Sequence, residues 1–85
     1  MAKAFKLSII TPEKIVYEGS ITSLVAPSEL GYLGVLADHA PLITNLSAGT
    51  ITVRDDTGKV LFFPSRGKGF LEVLKNDATV FLRAS

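Results

Sequence analysis

Cysteine is missing from this chain of 85 residues. Disulfides, thiolate metal ligands and cysteine nucleophiles are therefore excluded, and a domain of this size must be stabilised by packing alone. Long apolar runs are missing as well, because charged residues interrupt every hydrophobic stretch well before the roughly 18 residues that cross a bilayer. We expect no transmembrane span, and the opening stretch MAKAFKLSII lacks the small-residue cleavage site of a secretory signal.

A strong excess of charge of either sign is also missing. Nine Lys and Arg residues against eight Asp and Glu residues give a formal net charge of +1. Proteins that bind the phosphate backbone of DNA or RNA normally carry a clear basic excess. The charge balance therefore disfavours nucleic acid as a partner.

Apolar and polar residues alternate along most of the chain, and no stretch keeps the helical period of roughly 3.6 residues. Thr50–Arg54 alternates strictly, and Asp55–Gly58 is typical of a hairpin turn with Gly58 at a positive φ. Pro27 is expected to end a strand whose one face carries Ile21, Ser23 and Val25, and residues 47–49 are expected to form a turn. We predict short strands at residues 5–9, 14–18, 20–26, 32–36, 41–46, 50–54, 59–63, 69–74 and 79–83.

The predicted fold follows from this series of strands. Short strands at intervals of about ten residues with no helix between them are typical of an antiparallel β-sandwich or flattened barrel, here with about 8–10 short strands. The chain contains no repeats, linkers or low-complexity segments. We therefore expect residues 1–85 to form one all-β domain.

The stretch GYLGVLADHAP, residues 31–41, contains the chain's only histidine. A catalytic histidine needs a nucleophile or an orienting carboxylate within hydrogen-bond reach, and Asp38, its neighbour in sequence, points to the other side of an extended chain. One histidine and scattered carboxylates do not make a zinc site. We predict that His39 hydrogen-bonds the backbone and holds the turn before Pro41, and that the chain has no catalytic, metal or cofactor site.

Two other features allow a ligand-binding interpretation. The segment Arg66–Gly69 combines cations and glycines as phosphate loops do, but it has neither the Walker spacing nor a following helix, so we predict a bend or bulge. The seven aromatic residues could stack bases on a small β-barrel, which keeps a single-stranded nucleic-acid-binding module as the alternative function. They are spread over six segments, so we predict that most lie in the core and that Tyr32 is exposed. A small-molecule enzyme would need Glu29 and Asp38 to converge.

Several sequence blocks, taken together and in order, resemble the N-terminal domain of the epsilon subunit of F-type ATP synthases. The resemblance runs from Phe5 almost to the end of the chain. Any one block is weak evidence, whereas several blocks in order at compatible spacing are specific. The blocks are TPE with VYEG at residues 11–19, VAPSE at 25–29, GYLGVL at 31–36, HAPL at 39–42, residues 46–53, and GFLEV at 69–73.

The resemblance implies a non-catalytic component of the central stalk. Such a subunit attaches to the gamma subunit and rests on the membrane ring of c subunits, so that ion-driven rotation is coupled to ATP synthesis. It would lie at the cytoplasmic face of a bacterial membrane, peripheral to it and without direct insertion. No cofactor is implied.

The resemblance also assigns residues to partners. The loop that would face the c ring comprises Glu29, Leu30, Gly31, Tyr32, Leu33 and Gly34, with Tyr32 or Leu33 supplying apolar contact area. The surface that would face gamma comprises Thr11, Pro12, Asp38, His39, Ala40 and Pro41.

The chain departs from the family pattern at three places. Ala37-Asp38 stands where Pro-Gly usually precedes the histidine, Tyr32 stands where an acid is frequent, and Gly67-Lys68 stands where Ser-Gly usually precedes Gly69. Family members commonly continue into two C-terminal helices that can inhibit ATP hydrolysis and in some relatives bind ATP. The sequence ends at Ser85, so the resemblance predicts a version without that helical hairpin and its activities.

Overall fold

The computed structural model describes residues 3–83, and these residues form six β-strands and no helix. The strands are β1 (Phe5–Ile10), β2 (Ile15–Ser28), β3 (Gly31–Val35), β4 (Leu42–Asp55), β5 (Val60–Leu74) and β6 (Asp77–Phe81). The all-β prediction is confirmed. In this described part of the chain, no helix has the length and apolarity to cross a membrane.

The strands form a closed barrel with one attached strand. The sheet order is β1-β6-β5-β4-β2-β3, and β1 also pairs with β2. This second pairing of β2 closes five strands into a ring, while β3 pairs with β2 alone. Every pair is antiparallel except β1 and β6, which run parallel. The predicted antiparallel arrangement therefore holds for all pairs but this one.

The strands are fewer and longer than predicted. β2, β4 and β5 contain 14, 14 and 15 residues, and each joins two of the predicted short strands. Residues 47–49 lie inside β4, so the predicted turn there is wrong. Pro27 does not end β2 either: it pairs with Tyr32, and the ladder to β4 is irregular between Val25 and Ser28, where a proline without an N–H is tolerated.

A bulge in β2 reverses the predicted faces of this strand. Ile21 pairs with Asp55 and Ser23 with Arg54, which leaves Thr22 as an extra residue. The Thr22 hydroxyl donates to the Arg54 carbonyl at 3.4 Å. Because of this extra residue, Leu24 turns into the core on the same side as Ile21, together with Ala26. Ser23 and Val25 do not share the buried face of Ile21, contrary to the prediction from simple alternation.

A second bulge lies where β5 crosses the middle of β4. Leu46 pairs with Gly69 and Ala48 with Arg66, so the two β5 residues Gly67 and Lys68 lie opposite a single residue of β4. Both have positive φ values, 88° and 60°. The bulge predicted for Arg66–Gly69 is confirmed.

The barrel interior is filled by apolar side chains from all six strands, each at most 4% exposed. Packing of this layer is the main stabilising contribution in a chain without disulfides. The buried residues are Phe5, Leu7, Ile9, Ile21, Leu24, Ala26, Val35, Leu46, Ile51, Val53, Leu71, Val73, Ala78 and Val80.

The prediction that most aromatic residues lie in the core is wrong. Phe5 is the one phenylalanine or tyrosine in this buried set. Phe62 is 67% exposed and Phe70 is 40% exposed, because each occupies an outward position between two inward-facing neighbours on β5. Phe70 stacks on Phe81 with ring centroids 4.5 Å apart on the outside of the barrel.

Two hairpin turns agree with their local sequence. In the β4–β5 turn, the Asp55 carboxylate oxygen Oδ1 accepts bonds from the Thr57 and Lys59 N–H groups at 2.9 Å, and Gly58 has a φ of 90° as predicted. The Thr57 hydroxyl also donates to Asp55 Oδ1, at 2.7 Å. This bond is the main cause that lowers the pKa of Asp55 below its ordinary value, and the two N–H bonds add to it. The β5–β6 turn contains Lys75 and Asn76, both at positive φ.

Candidate interaction surfaces

The loop predicted to face the c ring is the hairpin between β2 and β3. Its turn is organised by Ser28, whose hydroxyl donates to the Gly31 carbonyl and accepts the Leu30 N–H at 3.3 Å. Leu30 stands at the tip and is 99% exposed.

The tip of this hairpin is tied to β4 through Glu29. The Glu29 N–H donates to the Asn45 carbonyl at 3.3 Å, and the Asn45 side-chain amide donates to a Glu29 carboxylate oxygen at 3.4 Å. Together with the β2–β3 ladder, these bonds give the exposed tip a defined position relative to the barrel.

Tyr32 is exposed, as predicted, but its ring is held against the sheet. It is 64% exposed, and its hydroxyl accepts the Thr50 N–H at 3.3 Å. The Tyr32 hydroxyl reaches Gly49, where an added Cβ would fall 2.7 Å from this hydroxyl and 2.9 Å from the Pro27 Cβ. Gly49 is therefore needed for close approach and not for a turn, a role that sequence reasoning missed.

The remaining two residues of the loop differ from each other. Leu33 is partly buried and packs against the core, so less of its side chain is exposed than of Leu30 or Tyr32. Leu30, at the tip, is the leucine that offers an apolar surface. Gly34 is exposed, and no atom lies within 4 Å of the position that a Cβ would take there.

Asp38 is the centre of a polar clasp between three parts of the chain. Lys3 Nζ lies 3.0 Å from both Asp38 carboxylate oxygens. The Asn76 amide donates to Asp38 Oδ1 at 2.9 Å, and the Asp38 N–H donates to Asn76 Oδ1 at 2.6 Å. The hydrogen bond from Asn76 and then the contact with Lys3 lower the pKa of Asp38. The clasp joins the β3–β4 loop to the β5–β6 turn.

His39 behaves as predicted. Its Nδ1 lies 2.8 Å from the Ala40 carbonyl oxygen, and because that oxygen only accepts, Nδ1 carries the proton. The His39 N–H donates to the Leu36 carbonyl at 3.3 Å. The ring thus holds the loop before Pro41 and is engaged with backbone.

Thr11 and Pro12 lie apart from the Asp38 clasp. Thr11 caps the β1–β2 turn, where its N–H and hydroxyl both donate to the Lys14 carbonyl, at 2.9 and 3.2 Å. Asn76 of the clasp bonds Lys6 at the start of β1, whereas Thr11 follows the end of β1, about 17 Å away at the rise of an extended strand. The predicted gamma-facing residues therefore form two patches.

Two arrangements considered from the sequence, a metal cluster and a Glu29–Asp38 pair, can be compared with the fold. No group of three His, Asp or Glu side chains that could hold a metal ion occurs within residues 3–83. Glu29 is hydrogen-bonded to Asn45, which pairs with Phe70 of β5. Asp38 is hydrogen-bonded to Asn76, which follows the end of β5 at Leu74. Phe70 and Leu74 are about 13 Å apart along the strand, so the two carboxylates do not converge as an acid–base pair.

These features define a class of protein: a small closed β-barrel domain with an exposed hairpin. The sequence profile described as "ATP synthase, Delta/Epsilon chain, beta-sandwich domain" matches residues 4–84. The chain belongs to this family, and the resemblance found in the sequence is confirmed.

Individual relatives agree with this assignment. The chain is 45% identical over 82 residues to the ATP synthase epsilon chain of Desulforamulus reducens, covering 96% of this chain and 60% of the relative. It is 38% identical over 79 residues to the epsilon chain of Leptospira interrogans, covering 93% and 61%. The chain thus spans about three fifths of the length of these curated bacterial relatives.

Solved structures share the fold at low sequence identity. A chain of the Euglena gracilis mitochondrial ATP synthase, in a structure described as OSCP/F1/c-ring in rotational state 1, matches with a TM-score of 0.85 at 20% identity, over 96% of this chain and 52% of that one. A chain from the central stalk/c-ring structure of the Tetrahymena thermophila mitochondrial ATP synthase matches with a TM-score of 0.78 at 18% identity, over 98% and 66%.

Proposed function

We propose that this chain is a non-catalytic rotor component of an F-type ATP synthase, peripheral to the cytoplasmic face of a bacterial membrane. The observation that carries the proposal is the family match over residues 4–84, together with bacterial relatives that are named ATP synthase epsilon chains. The related folds come from ATP synthase complexes, one described as OSCP/F1/c-ring and the other as central stalk/c-ring. The nucleic-acid alternative has less support, since the net charge is only +1.

In this proposal, the β2–β3 hairpin docks on the c ring. Leu30 at the tip and Tyr32 beside it supply apolar area, and Glu29 supplies a carboxylate at the rim. The bonds from Ser28, Asn45 and Thr50 hold the hairpin before contact, so little conformational entropy is lost on docking. A positioned hairpin of this kind suits a joint that must transmit torque.

Gamma would contact the two patches at the ends of β1. One patch is Thr11-Pro12, and the other is Asp38–Pro41 around the clasp. A gamma surface that touches both must span about 17 Å, the length of β1. We expect the loss of either patch to weaken the association.

The proposal is tested by co-purifying the chain with gamma from the same organism and then binding the pair to detergent-solubilised c ring. Tyr32→Glu and Leu30→Glu should leave the chain folded and bound to gamma but weaken binding to the ring. Phe62→Glu is the matched control, because Phe62 is 67% exposed and Tyr32 64%, and Phe62 lies outside the hairpin. Wild-type ATP synthesis in membranes carrying both hairpin variants would contradict the ring-facing assignment.

A further inference from the structure

Three cations converge at the bulge in β5, in a concavity lined by no residue that the proposed function assigns to a partner. Arg66, Lys68 and Arg83 line a concavity of about 330 Å³ together with Gly67. Arg66 and Lys68 come from β5, and Arg83 follows β6, so the fold and not sequence proximity brings them together. Within the described range 3–83, none of the three lies within 4 Å of a carboxylate.

Lys68 occupies this position against the preference of its own backbone. Its φ is 60°, in the left-handed region that favours glycine, and the preceding Gly67 is also at positive φ. Glycine would adopt the backbone conformation of the bulge with less strain than lysine at position 68, as it does at position 67. A strained residue that carries a charge into a cluster of like charges indicates a use for that charge.

The cationic concavity continues into an apolar groove. Arg66 and Arg83 also line a neighbouring cavity of about 190 Å³, whose walls include Val16, Phe63 and Leu82. Leu82 and Thr11 in turn line a third concavity, which is walled by apolar side chains of Ile10, Pro12 and Phe81. None of the residues that line these three concavities is acidic.

We infer that this surface, the Arg66–Arg83 groove, binds a segment of a protein partner that carries carboxylates next to apolar side chains. The carboxylates would meet Arg66, Lys68 and Arg83, and the apolar side chains would enter the groove beside Val16 and Leu82. Such a segment relieves the repulsion among the three cations and buries apolar wall at the same time, whereas a free phosphate does only the first.

The inference rests on the proposed function in one respect: Thr11 and Pro12, which border the groove, belong to a patch assigned to gamma. The inference itself concerns the chemistry of the partner segment. It therefore needs one test that uses no ATP synthase component and one that uses gamma.

The first test titrates the isotope-labelled chain with a short peptide of leucine and glutamate, followed by NMR. We expect shifts confined to residues that line the groove, and about a twofold to fivefold loss of affinity for each of Arg66→Gln, Lys68→Gln and Arg83→Gln, as for exposed ion pairs. Lys59→Gln, at the distant β4–β5 turn, is the control and should bind as the wild type does.

Two comparison ligands decide what is recognised. The same peptide with glutamine in place of glutamate should bind more weakly, and its affinity should depend less on salt. Equal binding of both peptides would overturn the role of the cations. Binding of sodium tripolyphosphate without binding of the glutamate peptide would overturn the inference in favour of a phosphate site.

The second test measures the association with gamma at increasing salt for the wild type and for the triple glutamine variant. A weaker, less salt-dependent complex with the variant supports the inference. Binding to gamma that is unchanged in the triple variant overturns it for that partner and leaves the proposed function intact. Peptide binding at the groove without any gamma association would instead count against the proposed function and support the groove.

Discussion

Gly49 links the barrel to the exposed hairpin, and its replacement by alanine should destabilise the domain. The added Cβ would lie 2.9 Å from the Pro27 Cβ and 2.7 Å from the Tyr32 hydroxyl. Pro27 is fully buried and cannot move away, whereas Tyr32 can swing into solvent. The variant therefore strains the contact with Pro27 and loses the bond between Tyr32 and the Thr50 N–H.

The size of the effect follows from these two contacts. Overpacking against a buried side chain costs about 1–3 kcal/mol. Loss of an exposed hydrogen bond costs about 0.5 kcal/mol. We expect Gly49→Ala to lower the free energy of unfolding by about 2–3 kcal/mol. For a domain of this size, that corresponds to a fall in Tm of about 10–20 °C.

Thermal and urea unfolding followed by circular dichroism would measure this loss. Gly34→Ala is the matched control, because its added Cβ meets no atom within 4 Å, and we expect little change. Tyr32→Phe removes only the hydroxyl and should cost about 0.5 kcal/mol. If Gly49→Ala melts like Gly34→Ala, then Pro27 and Tyr32 are not packed on Gly49 as described, and the argument for a held Tyr32 ring fails.

Three further predictions concern the bulge, the strand pairing and the hairpin turn. Gly69→Ala should lower the free energy of unfolding in urea by about 3 kcal/mol, because the added Cβ would clash with the backbone carbonyl of Phe81. An unchanged free energy would contradict the close pairing of β5 and β6. Lys68→Gly should exceed Lys68→Gln in free energy of unfolding by about 0.5–1 kcal/mol, because both variants remove the repelled charge but only glycine relieves the positive φ. A glycine variant less stable than the glutamine variant would refute the strain. Because the pKa of Asp55 is lowered in the folded state, its contribution to folding stability is present above its ordinary pKa and is lost as pH falls through the folded value. The melting temperature of Asp55→Asn should therefore depend less on acid pH than that of the wild type.

Local features of this chain could be predicted from the sequence. The alternation of Phe5, Leu7 and Ile9 places them on one buried face, and the residues between Asp55 and Gly58 form the predicted hairpin turn. The bulge at Arg66–Gly69 and the exposure of Tyr32 were predictable for the same reason. Backbone preferences of neighbouring residues and the two-residue period of a strand act over a few positions, and the sequence records both directly.

Properties that depend on closure of the barrel could not be predicted in this way. Thr22 becomes a bulge because β2 must pair with β1 through its first half and with β4 through its second, and this extra residue reverses the faces that alternation predicts. The sequence around Gly49 predicts a turn, whereas in the fold Gly49 lies inside β4, where Pro27 and the Tyr32 hydroxyl leave no room for a Cβ. In both cases a distant strand decides the conformation.

For the candidate surfaces, too, some features follow from the sequence and others only from the tertiary structure. Sequence alone determined an all-β domain of this family and singled out residues 31–41 as its unusual segment. Only the tertiary structure separated Thr11 from Asp38 at the two ends of β1, joined Asp38 to Asn76, and brought Arg83 beside Arg66. Contacts between residues far apart in the chain depend on the register and order of the strands, which are set by how the whole core packs and not by any one segment.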